Sequence, residues 1–255
     1  MKILVLVKEV PDTYGDRVLD ATTRTIDRGA SEAVTDEINE RALEVALQYK
    51  DSTKDAEVVL LSMSPPSATT NLRKGLAMGA TAAVHLVDDS LAGSDALTTA
   101  RALAAALTQE GFDVVIGGNE STDGRGGVVP AMIAELLGLP HATSIGNVEL
   151  TATSVSGDRT TEFGTVSVRA ALPAVISVTE QAPEARFPNF KGIMGAKKKP
   201  LRTVTRGELG FDAGAARSSV LSIDKRPGRT AGTKIVDEGN AGVRLAEYLA
   251  AERLI

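Results

Sequence analysis

The chain has 255 residues, 43% of them hydrophobic and 24% charged, a balance that carries a buried core and excludes disordered, collagen-like and low-complexity chains. It has no cysteine, no tryptophan and two histidines. Disulfides, iron–sulfur clusters, thiol nucleophiles and Cys-based zinc sites are therefore excluded, and His85 and His141 lack metal-ligand spacing, so no metal site and no redox centre of the chain's own is expected. With 28 basic against 33 acidic side chains and a net charge of -5, nucleic acid is not an expected partner.

The opening run Ile3 to Val7 is apolar and rich in β-branched residues, which fits a strand buried on both faces of a parallel sheet. It is too short for a signal peptide or a membrane span, so a cytoplasmic chain without membrane insertion is expected. Residues 12–28 show no clear period. Thr35 reads as the N-cap of a helix that places Asp36, Glu37 and Glu40 at its positive end and lines up Leu43, Ala46 and Leu47. Glu57 to Met63 reads as a second strand, and Pro65-Pro66-Ser67 opens a helix through Leu72 and Leu76 that stops at Gly79. A third strand over Ala83 to Val87, a helix over Ser94 to Gln109, a fourth strand over Asp113 to Ile116, and a loop and helix over Gly124 to Gly138 complete the pattern. Four alternations with short links predict an α/β fold, a doubly wound and mostly parallel sheet.

Beyond residue 141 the texture changes. Ser144 to Ser154, Thr160 to Val168 and Ala174 to Thr179 read as antiparallel strands added to the sheet edge. Residues 183–200 are rich in Pro, Gly and Lys, where helix and buried strand are both poor choices. Residues 207–255 show little period before a short helix near Gly242 to Arg253. The expected division is a domain over 1–206 and an arm over 207–255 that packs on something else.

Two constellations carry chemistry. The loop Gly117-Gly118-Asn119-Glu120-Ser121-Thr122-Asp123-Gly124-Arg125-Gly126-Gly127-Val128-Val129 joins a strand to a helix, where ligands bind in doubly wound sheets. Glycines let backbone N–H groups approach phosphate, Ser121 and Thr122 add hydroxyls, and Arg125 supplies a cation. The loop matches neither the G-x-G-x-x-G nor the G-x-x-x-x-G-K-[ST] fingerprint, and a plain flexible loop is the competing reading. The second, Arg186-Phe187-Pro188-Asn189-Phe190-Lys191-Gly192-Ile193-Met194-Gly195-Ala196-Lys197-Lys198-Lys199, holds two of the five phenylalanines. Exposed aromatics among cations would form a docking loop for an acidic protein, whereas general statistics favour phenylalanines tucked into a core. No nucleophile–base pair assembles: His85 reads as a satisfied strand residue, and no catalytic residue is expected.

Taken in order, Val7-Lys8-Glu9-Val10-Pro11-Asp12, Asp36-Glu37-Ile38-Asn39-Glu40-Arg41-Ala42, Leu76-Ala77-Met78-Gly79-Ala80, Gly117 to Gly124, Leu172-Pro173-Ala174-Val175, Ile193 to Lys199 and Arg229-Thr230-Ala231-Gly232 resemble the β subunit of electron transfer flavoprotein, in its FixA-like bacterial set. The resemblance implies an adenine nucleotide α-hydrolase-like fold that binds AMP in a structural role. The family's AMP-contacting positions fall on Leu6, Asp36 to Asn39, Met63, Gly118, Asn119, Ser121, Thr122, Asp123, Gly124, Arg125, Gly126, Gly127, Val128 and Val129. It also implies a heterodimer with a larger α subunit holding most of a redox-active FAD, with electrons arriving from acyl-CoA and related dehydrogenases and leaving to a membrane-bound quinone oxidoreductase. Arg186, Phe187, Phe190, Ile193, Met194 and Lys197 fall on the family's recognition loop, with Phe190 at its apolar anchor. At Gly124 to Gly127 the chain departs from the Gln-containing segment of some members. Two alternatives stay open: a bifurcating form with a second FAD in the AMP site, and a stand-alone nucleotide sensor resembling the universal stress proteins.

Overall fold

The structure, a computed structural model, describes every residue except Asp16, Ala213, Ala215, Arg229, Thr230 and Thr233. Arg229 and Thr230 of the resembling motifs thus lie outside the described residues. The chain divides into two compact units, Met1–Ile223 and Asp224–Ile255.

The first unit opens with β1 (Lys2–Leu6), β2 (Glu9–Pro11), the short pair β3 (Leu19–Asp20) and β4 (Thr25–Ile26), β5 (Ala33–Thr35) and helix α1 (Glu37–Ser52). There follow β6 (Glu57–Met63), α2 (Thr69–Met78), β7 (Ala82–Leu86), α3 (Ala96–Glu110), β8 (Val114–Gly118) and α4 (Val129–Leu137). The remainder comprises β9 (His141–Leu150), β10 (Ser154–Thr161), β11 (Gly164–Ala171), β12 (Ala174–Val178), α5 (Phe190–Ala196), β13 (Leu201–Val204) and α6 (Arg206–Leu209). One nine-stranded sheet runs in the order β11-β10-β9-β12-β8-β1-β6-β7-β13, and β2 pairs with β5 and β3 with β4 in separate two-stranded sheets. In the second unit, α7 (Ala241–Ala251) leaves Val243, Leu245 and Tyr248 exposed.

The central strands read as unbroken apolar runs because both faces are covered. Ile3 and Val5 of β1, with Val58 and Leu60 of β6, point into a core built with α1 and α2. Leu4, Val59 and Leu61 point the other way, into a core built with α3 and α4, as the two-residue period of a strand requires. Each such side chain stabilises the fold by about 1.5–3 kcal/mol. From β1 the chain passes through α1 to β6 and β7 on one side, then returns through α3 to β8 on the other side of β1. The reversal places a switch point between the carboxyl ends of β1 and β8, where open α/β sheets have their crevice.

Four expectations need correction. The run Thr160 to Val168 is not one strand but crosses the turn at Glu162 and Phe163 that joins β10 to β11. The strand over 174–178 is not an antiparallel edge strand: β12 lies between β8 and β9, parallel to both and buried at all five positions. Only β10 and β11 extend the edge in antiparallel fashion. The N-cap of α1 is Asp36 rather than Thr35, its carboxylate accepting from the N–H groups of Ile38 and Asn39. The Gly-rich 190–196 segment is a helix capped by Asn189; the edge strand β13, parallel to β7, was not expected at all.

Candidate functional site

The crevice is assembled around one buried carboxylate. Asp36 is fully buried; its Oδ1 caps α1, and its Oδ2 accepts from the N–H of Thr122 at 2.6 Å and from the Thr122 hydroxyl at 2.8 Å. The start of α1 is thereby tied to the loop after β8. Asn39 makes the next tie, its Oδ1 accepting the Lys8 N–H at 2.8 Å. A side chain at 118 would not fit, since a Cβ there would stand 2.6 Å from Asn39 Nδ2. Asp36 and Asn39 therefore build the wall of the crevice with their side-chain oxygens already engaged.

Behind the loop sits an ion cluster. Lys8 Nζ donates to Asp123 Oδ1 at 2.8 Å and to the Ser121 hydroxyl at 3.1 Å, and Arg28 donates to Asp123 Oδ2 at 2.6 Å. The Asp123 carboxylate is buried while both cations remain partly exposed. Burial alone would push this carboxyl up; hydrogen bonds from Lys8 and Ser121, with the Lys8 charge and Arg28, more than reverse that and hold it well below the usual carboxylate range. Glu40, one turn along α1, is pushed up by burial against a smaller opposing effect of Lys74.

The loop retains the features that a nucleotide would use. Asn119 Oδ1 is buried without a hydrogen-bond partner among the described residues, a condition that calls for a further donor, and the adenine amino and ribose hydroxyl groups are such donors. No side chain among the described residues caps the start of α4, and with Pro130 lacking an N–H it is the Val129 and Ala131 N–H groups that are available to an anion. Gly126 and Gly127 have open space where a Cβ would stand, and Arg125 and Gly127 adopt positive φ of 47° and 65°. Arg125 is exposed, at the outer turn of the loop. Leu6 packs beside Gly117, and Met63 ends β6 half-buried; both lean on the core of the α3 and α4 face. The residues present fit an adenine nucleotide.

His85 is a satisfied strand residue, as expected. Buried in β7, its Nε2 lies 3.0 Å from the Ser64 hydroxyl and 3.2 Å from the Ser64 carbonyl, and burial pulls its pKa down. It latches the turn that follows Met63.

The second constellation is exposed rather than tucked away. Phe187 is 95% and Phe190 80% exposed, and Ile193 and Met194 also face outward, with Lys197 exposed beside them. The segment is nevertheless held firmly. Lys199 Nζ donates to the carbonyls of Leu76 and Ala80, closing the end of α2, while Arg73 of α2 donates to the carbonyls of Ala196 and Lys199, closing the end of α5. Arg186 donates to both oxygens of Glu44, at 2.7 and 2.9 Å, and pairs with Asp51 at 2.8 Å.

Arg28 and Glu44 are not among the residues singled out from sequence, and Lys8 enters only as part of the Val7 to Asp12 run, with no role of its own. Lys8 is the second residue after a buried strand that points at the crevice, a usable signal; Arg28 lies in an aperiodic stretch that offers none.

A family model described as electron transfer flavoprotein domain matches residues 23–209. The electron transfer flavoprotein subunit beta of Mycobacterium tuberculosis is 48% identical over 263 aligned positions covering 99% of each chain. That of Megasphaera elsdenii is 32% identical over the whole of both chains, and that of Bacillus subtilis 30% identical over 88% of this chain and 87% of its own. Similarity that runs the length of the molecule, through the crevice and the exposed helix alike, makes this chain a member of the electron transfer flavoprotein family, of the β-subunit kind.

Proposed function

We propose that the chain works in the cytoplasm, paired with a larger α subunit that holds most of a FAD, binds AMP in its own crevice as a structural element, and docks acyl-CoA and related dehydrogenases through residues 186–197. The observation that carries this reading is Phe190, an aromatic side chain 80% exposed on a helix that the fold holds in place. Leaving such a side chain in water forfeits about 1.5–3 kcal/mol of burial, which a partner's pocket would recover.

A flavin held by the pair would supply the redox chemistry between the dehydrogenases and a membrane-bound quinone oxidoreductase. The work of this chain is to bind and orient. For AMP, Arg125, the Ser121 hydroxyl and the start of α4 offer positive charge and donors to a phosphate, with the Lys8, Arg28 and Asp123 cluster behind the loop adding a net positive charge, and Asn119 Oδ1 offers an acceptor to the nucleoside. Residues 207–255 are assigned to packing on the α subunit, with the apolar side chains of α7 as the surface to be covered.

Phe190→Ala tests the docking role. Electron transfer from a reduced acyl-CoA dehydrogenase should slow at least tenfold at subsaturating carrier, consistent with a truncated interface anchor, with FAD content unchanged; unaltered kinetics would remove Phe190 as the anchor. Denaturing the purified heterodimer and identifying the released nucleotides by mass spectrometry should yield equal amounts of FAD and AMP, whereas two FAD per pair would replace the structural role of the crevice by an electron-bifurcating one.

A further inference from the structure

Glu44 belongs to neither the crevice nor the docking surface, yet it is an acidic residue only 5% exposed in the middle of α1. Its Oε2 accepts from the Arg186 backbone N–H at 3.2 Å and from Arg186 Nε at 2.7 Å, and its Oε1 accepts from another guanidinium nitrogen at 2.9 Å and from Gln48 at 3.2 Å. Burial pushes its carboxyl up, and the hydrogen bonds and charge of Arg186 reverse this and leave it lowered. A fork-to-fork pair of this kind fixes direction as well as distance. Stability alone does not account for it, because a well-packed apolar pair commonly serves as well.

Arg186 stands four residues before Phe190. From Lys199 and Arg73 the far end of α5 is pinned to α2; from Glu44 and Asp51 the near end is pinned to α1. Between the pins lie Phe187, Phe190, Ile193 and Met194, all exposed. A seven-residue helix with two internal glycines does not hold its shape unaided, so its presentation depends on both ends.

We propose that Glu44 is a positioning residue for dehydrogenase docking: acting through Arg186, it holds the approach to Phe190 in one conformation, so that the anchor meets its partner already ordered. This rests on the docking role given above to residues 186–197. Ordering a loop before association removes a cost otherwise charged against affinity.

The test uses the intact flavin-loaded heterodimer and a reduced acyl-CoA dehydrogenase, with Glu44→Gln, Arg186→Lys and Phe190→Ala. Glu44→Gln keeps the shape and removes the charge; Arg186→Lys keeps the charge and removes the fork, and serves if the buried substitution does not fold. Hydrogen exchange should quicken across residues 186–196 in both brace variants while the start of α1 keeps its protection. The KM for carrier should rise roughly five- to twentyfold, the effect of freeing one or two side chains at an interface, with kcat retained. Unchanged exchange in 186–196, or faster exchange with unchanged KM while Phe190→Ala raises KM, overturns the assignment of Glu44. If Phe190→Ala itself leaves KM unchanged, the docking role fails, and faster exchange in the brace variants then marks Glu44 as a purely structural pin.

Discussion

Asp36 serves four donors from two parts of the chain, the N–H groups of Ile38 and Asn39 and both donors of Thr122. Asp36→Ala removes a helix cap worth about 1 kcal/mol and leaves Thr122 with unmet donors at about 1–3 kcal/mol. The urea midpoint should therefore fall by the equivalent of roughly 2–4 kcal/mol, and nucleotide retention should fall with it. Asp123 sets a different expectation, governed by pH. Its folded pKa is depressed, so its contribution is complete above the unfolded carboxylate value near ~3.9 and is lost as pH falls through the folded one. Asp123→Asn should accordingly lower the urea midpoint at pH 7, and the gap from the native protein should narrow only well below pH ~4. A gap that closes between pH 7 and 5 would mean that the Lys8 and Arg28 contacts do not hold in solution. Of these residues Asp36 was recognised at the helix start only as one of its acidic residues, the cap being read one position early at Thr35. The role of Arg28 was not, because its partner lies across the fold and only tertiary structure brings them together.

At the level of elements, the buried strands were readable because β1, β6, β7 and β8 are covered on both faces and so carry uninterrupted apolar runs. Pairing is another matter. Ala174 to Val178 was recognisable as a strand, but its place between β8 and β9 depends on partners far away in sequence, and the Ser/Thr-rich texture around it belongs to the antiparallel β10 and β11. Helix α5 was missed for a local reason that has a tertiary purpose. Gly192 lowers helix propensity, yet a Cβ there would lie 2.2 Å from the Ala77 carbonyl oxygen, a backbone atom that cannot swing aside. Gly192→Ala should unseat α5 from α2 despite improving its propensity, lowering stability by about 1–3 kcal/mol as overpacking does and exposing residues 190–196 to proteolysis. A stabilised variant would show that the contact with α2 relaxes freely.

Across the whole molecule, the doubly wound architecture, the Gly-rich loop and the segment of phenylalanines among cations were visible in the sequence as patterns, while the exposure of Phe187 and Phe190 was left open by the residues themselves. What the residues could not disclose was which charges are spent inside the fold. Five basic side chains and no acidic one lie between residues 186 and 199. Arg186 and Lys199 are consumed by Glu44, Asp51 and the carbonyls that end α2, while Lys191, Lys197 and Lys198 remain exposed. Under the proposed docking role, an acidic partner would therefore meet the field of three lysines on a surface held at both ends, within a molecule of net negative charge. Mobile ions screen such a field beyond about 8 Å at physiological ionic strength, so added salt should slow encounter far more than it loosens the formed complex. Stopped-flow association measured against ionic strength should lose much of its slope in Lys197→Ala/Lys198→Ala and keep it in Glu44→Gln, separating the residues that attract a partner from the one that holds the surface still.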